Sequence, residues 1–501
     1  MKTPRFQIGI VMTAVIGTLV LIVSNSQAEW PKKFGRFRSS ERDGMDLTSS
    51  DLRQNRSAKI GTPARPVPVS PEYPRYRLIN LGTLGGPNSS HVAAVVSLNN
   101  RGDALAVAST HTLDPYPFTL WDEFIWHGIR ANATGIVTDL GALPEINQSI
   151  PAWITENGLV AGLSGNGLVD DLTGFPQLRP VLWDHAGNIH DLGTFGGNTG
   201  LSNSMNSRGQ VVGSATNSIA ENPDIASFIN YGFAAAQQVR AFLWHSGAMR
   251  DLGTLGGNDA FAAAINAGGQ VTGLSCTDTV INETTGLPTV HPFLWNNGTM
   301  RDLGSLGGTL SVPGSFVLGP GGQLLNDSGD VAGTSTLSGD EDWHAFVWLN
   351  ARGRMIDLGT LGGNLSEALA INNKAQVVGR ARLTSTPLSH HPFLWEKGQM
   401  TDLGVAAPCQ RGTAESINSA DQIVGGFGGC TADPGDRYYF RAFYWQKGMP
   451  IVELNTLITP PSEINVDDAS CINDRGEIVG IGVLPDGSTR AVLLVPIPPG
   501  R

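Results

Sequence analysis

Charged residues and long apolar runs are both scarce in this sequence. Only 15% of the 501 residues are charged. After Val23, no apolar run approaches the roughly 20 residues that a membrane-spanning helix requires. Glycine and proline are plentiful, with 63 Gly and 30 Pro. This composition is typical of many short strands joined by turns, and it disfavours a helical protein.

The signatures of several enzyme classes are also missing. The sequence contains no Gly-x-Ser-x-Gly nucleophile elbow and no His-Glu-x-x-His zinc motif, and none of its Gly-rich runs continues as Gly-Lys-Ser/Thr. The acidic run Asp340–Asp342 lacks the alternating ligands and the glycine of a calcium loop. We therefore predict no catalytic residues, no metal site and no cofactor.

The N-terminal residues have the features of an export signal. Lys2 and Arg5 precede an apolar run from Ile8 to Val23, and Ser26 and Ala28 form a small-x-small cleavage site. We predict that residues 1–28 are a signal peptide and that the mature chain is exported to the periplasm, the cell surface or the extracellular medium. An uncleaved anchor is the alternative, although this run is short for a spanning helix.

Residues 29–75 differ in composition from the rest of the chain. Residues 31–75 carry ten Lys or Arg against five Asp or Glu, a net charge of +5. Since residues 1–30 carry +1 and the whole chain −11, residues 76–501 carry −17. We predict that residues 29–75 are a disordered, basic and Pro-rich linker, although they could instead contact anionic envelope polymers or lipid. The acidic body argues against nucleic acid as a partner.

Three sequence blocks recur eight times between residue 76 and the C-terminus. The first is Asp-Leu-Gly-Thr-Leu-Gly-Gly, at residues 251–257 and again at 357–363. The second is typified by Ile-Asn-Asn-Lys-Ala-Gln-Val-Val-Gly (371–379) and the third by His-Ala-Phe-Val-Trp (344–348). Successive copies of the first block lie 45 to 60 residues apart. A period near fifty residues indicates stacked supersecondary units.

Each repeat predicts two β-hairpins. From Ser366 to Arg382, short apolar stretches flank a polar turn, and the same pattern returns from His390 to Gly404. Four-stranded units of this length, repeated radially, describe an all-β, eight-bladed β-propeller with antiparallel blades, over residues 76–501. The segment from Tyr76 supplies a fourth strand without a hairpin partner, while the last repeat lacks its fourth strand. We predict that the N-terminal strand joins the last blade and closes the ring.

The repetition also explains the Gly-rich runs. Strands flank them and no helix follows, so they are interpreted as tight crossings between blades, with backbone at positive φ or in close approach, and not as phosphate-binding loops. The Asp that opens each run is predicted to cap backbone amides of the turn. These are Asp139, Asp191, Asp251, Asp302, Asp357 and Asp402.

Two positions of the third block recur with large side chains. Its first position holds His291, His344 and His391 in some copies but Arg in others, which argues against a metal ligand. The Trp that ends the block is predicted to pack between neighbouring blades because its large ring buries much area. These are Trp183, Trp244, Trp295, Trp348, Trp395 and Trp445.

The chain has four cysteines, and an exported protein permits disulfides. Cys409 and Cys430 are placed symmetrically about a predicted hairpin turn at Ser419, so folding of that hairpin brings them together. We predict a disulfide between Cys409 and Cys430. Cys276 and Cys471 lie in different repeats, and the sequence leaves their state open.

With these three blocks, residues 76–494 resemble the HAF-repeat family of bacterial exported proteins, named for the His-Ala-Phe found here at 344–346. The resemblance is weakest in the first and last repeats, where the block sequences diverge most from the others. It implies an exported location and a repeat architecture. The family has no established reaction, so it implies no catalytic residues.

The expected function is a non-enzymatic binding surface for a glycan or a protein at the bacterial envelope or outside it. Loop length predicts four contact regions: Ser214–Val239, Leu274–Val290, Thr309–Leu324 and Phe427–Phe440. The alternative is a polysaccharide-acting hydrolase or lyase in the central funnel, and a third possibility is a structural packing protein. Catalysis requires a unique polar cluster near the axis, whereas the departures from the repeat are expected mainly in loops.

Overall fold

The computed structural model describes residues 9–15, 18–24, 73–92, 96–115, 122–144, 147–316, 322–384, 390–430 and 440–498. Strands β1 (Gly9–Val15) and β2 (Thr18–Ser24) form an antiparallel hairpin within the predicted signal peptide. Most of the predicted linker lies outside the described residues. Across the described ranges, no helix combines the length and the hydrophobicity that crossing a bilayer requires.

From Arg75 onward the described chain is built from short strands. Strand β3 (Arg75–Asn80) comes first. Unit 1 has β4 (Gly85–His91), β5 (Ala104–Leu113), β6 (Phe124–Ala131) and β7 (Val137–Asp139); unit 2 has β8 (Ser149–Ile154), β9 (Val160–Val169), β10 (Pro176–Trp183) and β11 (Ile189–Asp191). Unit 3 has β12 (Gly196–Met205), β13 (Val211–Ala220), helix α1 (Pro223–Ile229), β14 (Gln237–His245) and β15 (Ala248–Asp251). Unit 4 has β16 (Ala260–Ile265), β17 (Val271–Cys276), β18 (Val290–Asn296) and β19 (Thr299–Asp302).

The second half of the chain repeats this order. Unit 5 has β20 (Gly307–Pro313), β21 (Val331–Leu337), β22 (Trp343–Leu349) and β23 (Arg354–Asp357). Unit 6 has β24 (Ser366–Ile371), β25 (Val377–Arg382), β26 (His390–Glu396) and β27 (Gln399–Asp402). Unit 7 has β28 (Arg411–Ile417), β29 (Gln422–Gly428), β30 (Arg441–Gln446) and β31 (Val452–Glu453), followed by a 3-10 helix (Leu454–Leu457). Unit 8 has β32 (Asn465–Ile472), β33 (Ile478–Val483) and β34 (Thr489–Ile497).

Within each unit the strands pair antiparallel in chain order. In unit 8 the fourth place is taken by β3, which pairs with β34 from Arg75 opposite Ile497 to Asn80 opposite Val492. A parallel bridge between Val290 and Leu310 links units 4 and 5 into one eight-stranded sheet. The predicted all-β propeller class is confirmed. That the units form one closed ring of eight blades stays a prediction.

In every unit except unit 2, where Thr155 takes its place, the asparagine of the second block donates a hydrogen bond to the next unit. The side-chain oxygen of Asn372 accepts hydrogen bonds from the backbone N–H groups of Lys374 and Gln376. Its amide group donates to Gln376 Oε1 at 2.6 Å and to the carbonyl of Asn418, in the next unit, at 3.2 Å. In unit 8, Asn473 donates in the same way to the carbonyl of Asn99, in unit 1, at 2.9 Å. The first strands are also in contact between units 2 and 3, 3 and 4, 6 and 7, and 7 and 8.

Tryptophans fill the spaces between units, as predicted. Trp295 of unit 4 is buried among Val212 and Leu252 of unit 3. Arg250, also from unit 3, lies over its ring with the guanidinium carbon 5.3 Å from the ring centre. This arrangement combines burial of a large apolar area with a cation–π contact.

The Gly-rich runs are crossings between units, which confirms their interpretation as architecture. Asp251 Oδ1 accepts a hydrogen bond from the N–H of Gly253 at 2.8 Å, the predicted cap. Gly256 has a φ of 129°, a conformation that side chains disfavour. A Cβ on Gly257 would lie 2.4 Å from the carbonyl oxygen of Asp278, so only glycine permits this approach.

The capping aspartates have a second partner that the sequence analysis did not anticipate. In unit 4, His291 Nδ1 lies 3.0 Å from Asp302. In unit 3, Arg240 takes the place of His291 and donates to Asp251 at 2.9 Å. Burial raises the pKa of Asp302, but the hydrogen bonds from His291 and from the N–H of Gly304 outweigh it, so that the pKa is lowered. The His/Arg position therefore supplies a side-chain hydrogen-bond partner to the capping aspartate.

Candidate functional site

The loops between second and third strands lie at the same end of the units as the Gly-rich crossings. Antiparallel pairing requires this, because successive connections alternate between the two ends of a sheet. Direct contacts agree: Asn258, after one crossing, donates to Glu221 at 2.7 Å, and Asn364 donates to Asp342 at 2.7 Å. We name this end the crossing face. The opposite end, with the hairpin turns, is the hairpin face.

Units 1 to 4 expose aliphatic side chains at the crossing face. Each of these four consecutive units has at least one, between 46% and 72% exposed, at the end of its second strand or in the connection that follows. Single exposed aliphatic residues are common, but their recurrence at one topological position marks a candidate interaction surface. This aliphatic rim consists of Leu113, Leu168, Leu172, Ile219, Val280 and Ile281.

The same four connections carry exposed carboxylates. Glu123, Asp171, Asp224 and Glu283 supply one in each unit, and none has an ion-pair partner among the described residues. The four connections contain no Lys or Arg. We name these residues the rim carboxylates. Since carboxylates without compensating cations give a negative potential, the surface favours a ligand that is both cationic and partly apolar.

The predicted contact region Ser214–Val239 is only partly available for binding. Strand β13 continues to Ala220, and α1 then begins with Asn222 as N-cap, its side chain accepting from the N–H of Asp224. Ile225, Ala226 and Ile229 of α1 are buried in a core shared with units 1, 2, 4 and 5. Most of this insertion therefore stabilises the fold, and its exposed part is the short stretch around Ile219 and Asp224.

The other three predicted regions include strand residues, so the loops within them are shorter than their bounds suggest. Leu274–Val290 includes the end of β17, and its exposed loop is residues 277–289. Thr309–Leu324 begins within β20, and Phe427–Phe440 begins within β29. Residues 317–321 and 431–439 lie outside the described residues.

The acidic run Asp340–Asp342 is engaged in hydrogen bonds. Asp340 accepts from the N–H of Thr309 at 2.6 Å and from the hydroxyl of Thr336 at 2.5 Å. Asp342 accepts from Asn364, as described above. Among the described residues, no group of His, Cys, Asp or Glu has the arrangement needed to hold a metal ion.

A buried ion pair departs from the repeat within the strands. Arg380 on β25 donates through Nε to Glu367 on β24 at 2.7 Å, and both side chains are at most 1% exposed. Ser315 of unit 5 donates to the other carboxylate oxygen of Glu367 at 2.8 Å. Departures from the repeat therefore occur at buried strand positions as well as in loops.

Further ionisable side chains are buried on the neighbouring first strands. Glu415 on β28, Asp468 on β32 and His91 on β4 are at most 6% exposed. Glu415 Oε1 and both carboxylate oxygens of Asp468 lack a hydrogen-bond partner among the described residues. His91 Nε2 lies 3.5 Å from Asp468 Oδ2, too far for a good hydrogen bond. With Glu367 and Arg380, these three residues form what we name the inner cluster.

Burial favours the uncharged forms of Glu415, Asp468 and His91. It raises the pKa of Glu415 well above its usual value, with the charge of Asp468 acting in the same direction. It raises the pKa of Asp468 to about 7 and lowers the pKa of His91 to about 4. A poorly compensated charge is costly in such surroundings, so the pKa of each carboxyl group is raised and that of the imidazole is lowered.

The neutral state of Asp468 predicts a pH dependence of stability. The folded protein keeps a proton that the unfolded chain, with a carboxyl pKa near 3.9, releases. The contribution of Asp468 to the free energy of unfolding therefore falls as the pH rises from about 4 to about 7. Asp468→Asn should match the wild type at pH 4 and exceed it by about 1–3 kcal/mol at pH 8 in urea unfolding. Asp171→Asn, at an exposed position, is the control; parallel profiles for all three proteins would refute the assignment.

The inner cluster could have been found from the repeat alignment. Counted from the asparagine of the second block, Glu367 occupies the place of Phe261 in unit 4. Arg380 occupies the place of Leu274, since each follows the glycine that ends the block. A charged residue in a strand position that is apolar in another unit is the signal. The inner cluster could not be recognised from the residues that the repeated blocks have in common, because its members are the residues that differ.

The two cysteines predicted to pair are joined in the structure. The sulfurs of Cys409 and Cys430 are 2.12 Å apart. The hairpin of β28 and β29 brings them together, since Arg411 pairs with Gly428. Cys276 and Cys471 are free and buried.

The chain matches no protein-family model and no curated protein sequence. Among solved structures, it is similar to the β-propeller domain of the Trilobed protease from Pyrococcus furiosus, with 7% identity and a TM-score of 0.40 over 76% of this chain and 98% of that one. It is similar to TolB from Acinetobacter baumannii, with 13% identity and a TM-score of 0.31 over 77% and 76%. Dipeptidyl peptidase 4 from Porphyromonas gingivalis has 11% identity and a TM-score of 0.42 over 76% and 56%. These similarities give no argument for a ligand or a reaction.

Proposed function

We propose that this chain, with its HAF-type repeats, is an exported binding protein of the bacterial envelope or the medium outside it. Residues 1–28 are its signal peptide, residues 29–75 its linker, and the propeller presents the binding surface. The ligand is a cationic polypeptide segment with aliphatic or aromatic side chains, and it binds to the crossing face of units 1 to 4.

The observation that carries this proposal is the coincidence of the aliphatic rim with the rim carboxylates. A purely acidic surface would serve solubility, and a lone exposed leucine has no meaning by itself. Both features recur in four consecutive connections that have no sequence repeat in common. An anionic glycan would be repelled by this surface, so polypeptide is the preferred ligand class.

A defined peptide tests this function. We expect a labelled 12-residue peptide of four Lys, four Leu and four Ser to bind, as measured by fluorescence anisotropy at low salt. Asp171→Asn with Asp224→Asn, or Leu172→Ser with Val280→Ser, should weaken binding at least about tenfold, since each pair removes roughly 1.4 kcal/mol or more.

The controls distinguish binding at this site from non-specific binding elsewhere on the protein. Ile136→Ser removes an aliphatic residue that is 63% exposed on the hairpin face, and it should leave binding unchanged. Peptides in which Glu replaces Lys, or Ser replaces Leu, should bind more weakly. Equal affinity of all variants, or binding of neutral oligosaccharides in place of the peptide, would overturn the proposal.

A second candidate function is hydrolysis or elimination on a polysaccharide, and the inner cluster is the observation that favours it. A general acid must hold its proton near neutral pH, and burial places Glu415 in that state. Burial of every member to 6% exposure or less makes binding the better supported function. Release of reducing ends from a polysaccharide panel, lost at least about a hundredfold in Glu415→Gln, would establish catalysis instead.

A further inference from the structure

We propose that the crossing face of units 1 to 4 is occupied in the free protein by the chain's own basic segment, residues 30–38, which excludes an external ligand. This inference rests on the proposed function, because it assigns a regulator to the same surface.

The composition of this segment complements the rim. Its sequence, Trp-Pro-Lys-Lys-Phe-Gly-Arg-Phe-Arg, contains four cations, three aromatic residues and no acidic residue. The rim offers four exposed carboxylates and six exposed aliphatic side chains, with no cation in its connections. Charge and hydrophobicity therefore match on both sides. Arginine and aromatic residues are also those most enriched at protein interfaces.

The tether is long enough to reach the rim. Tyr73, where the described fold resumes, donates through its hydroxyl to the carbonyl of Pro450 at 2.9 Å, in a connection on the hairpin face. Strand β3, six residues or about 20 Å long, then leads to the crossing face. About 35 residues separate residue 38 from Tyr73, a length of chain that can reach on the order of 100 Å when extended.

Tethering makes this binding effective even where each contact is weak. Because residues 39–72 join the basic segment covalently to the fold, its local effective concentration at the rim is on the order of millimolar. A cationic ligand in solution must displace the segment. Its apparent association constant is therefore the intrinsic constant multiplied by the fraction of time for which the surface is free. External ligands therefore bind only at concentrations high enough to displace the segment.

Carbodiimide cross-linking of the mature chain tests the contact directly, because it joins lysine amines to carboxylates that touch them. We expect Lys32 and Lys33 to be linked to Asp171, Asp224 or Glu283, with at least about tenfold less product in 1 M NaCl. Lys59, in the same linker but outside the basic segment, is the internal control. Mixing isotopically labelled with unlabelled chains distinguishes binding within one chain from binding between two copies. Products that join Lys32 or Lys33 mainly to other carboxylates, or mainly to the second isotope, would overturn the inference.

A neutralised chain tests the consequence for ligands. The substitutions Lys32→Gln, Lys33→Gln, Arg36→Gln and Arg38→Gln in the full mature chain should tighten binding of the Lys/Leu/Ser peptide at least about tenfold. Equal affinity of the neutralised and wild-type chains would refute occupancy while leaving the proposed function intact. If neither chain binds the peptide, the proposed function fails, and the cross-links alone decide whether the segment docks.

Discussion

A chain that begins at Leu81, and so lacks β3, is expected to lose cooperative folding at 37 °C. Strand β3 contributes six residue pairs with β34 and buries Tyr76 and Ile79. Losing each of these two side chains from a packed core costs about 2–5 kcal/mol, against a total stability of about 5–15 kcal/mol. Circular dichroism and urea unfolding measure the loss.

The matched control is a chain that begins at Tyr73, which keeps β3 and lacks only the residues before it. Its midpoint of unfolding should stay close to that of the mature protein. A synthetic peptide of residues 73–82 should restore the shortened chain as its concentration rises, because a ligand that binds only the folded state stabilises it. Identical midpoints for the two truncated chains would contradict the closure of the ring by β3.

Replacing Arg380 by leucine is expected to destabilise the protein by about 3–5 kcal/mol. The substitution leaves the Glu367 carboxylate buried without its cation. The resulting loss of stability is much larger than the net stabilisation that an intact buried ion pair provides. The free energy of unfolding from urea titration is the measurement. Arg179→Leu, which breaks a partly exposed pair with Asp191, is the control and should cost at most about 1 kcal/mol.

A double variant separates loss of the pair from damage to packing. Glu367→Leu combined with Arg380→Leu leaves no buried charge and imitates unit 4, where Phe261 and Leu274 hold these places. It should recover most of the stability lost in Arg380→Leu, since an apolar replacement of a buried ion pair is often neutral. If Arg380→Leu costs no more than Arg179→Leu, the buried pair does not have the importance assigned to it.

Much of the fold could be predicted from local pattern. The polar turn at Asn372 and the alternation around it gave the hairpin of β24 and β25, and the structure has strands at Ser366–Ile371 and Val377–Arg382. Short-range signals of this kind are encoded within a dozen residues. Helix α1 was missed because seven residues with Asn222 as cap form a weak pattern, and their burial depends on several other units.

The candidate surface was much less predictable. Three of the four long insertions lie at the crossing face, but length could not tell that Ile229 is buried while Ile219, ten residues earlier, is exposed. Glu415 and Asp468 lie in different repeats, and each resembles an ordinary polar substitution until the first strands are brought side by side. Sequence periodicity reports what units share, whereas a site depends on how single residues differ.

The strands, the turns and the packing of tryptophans between units follow from local sequence, because they depend on neighbours at fixed spacing. Hairpin turns, glycine crossings and aspartate caps are decided by φ angles and by hydrogen bonds over a few residues. Which charged residues are buried together, and which aliphatic residues remain exposed to water, depends on the assembled fold. Burial and electrostatic coupling depend on distances between residues that lie tens to hundreds of positions apart, and no local pattern contains those distances.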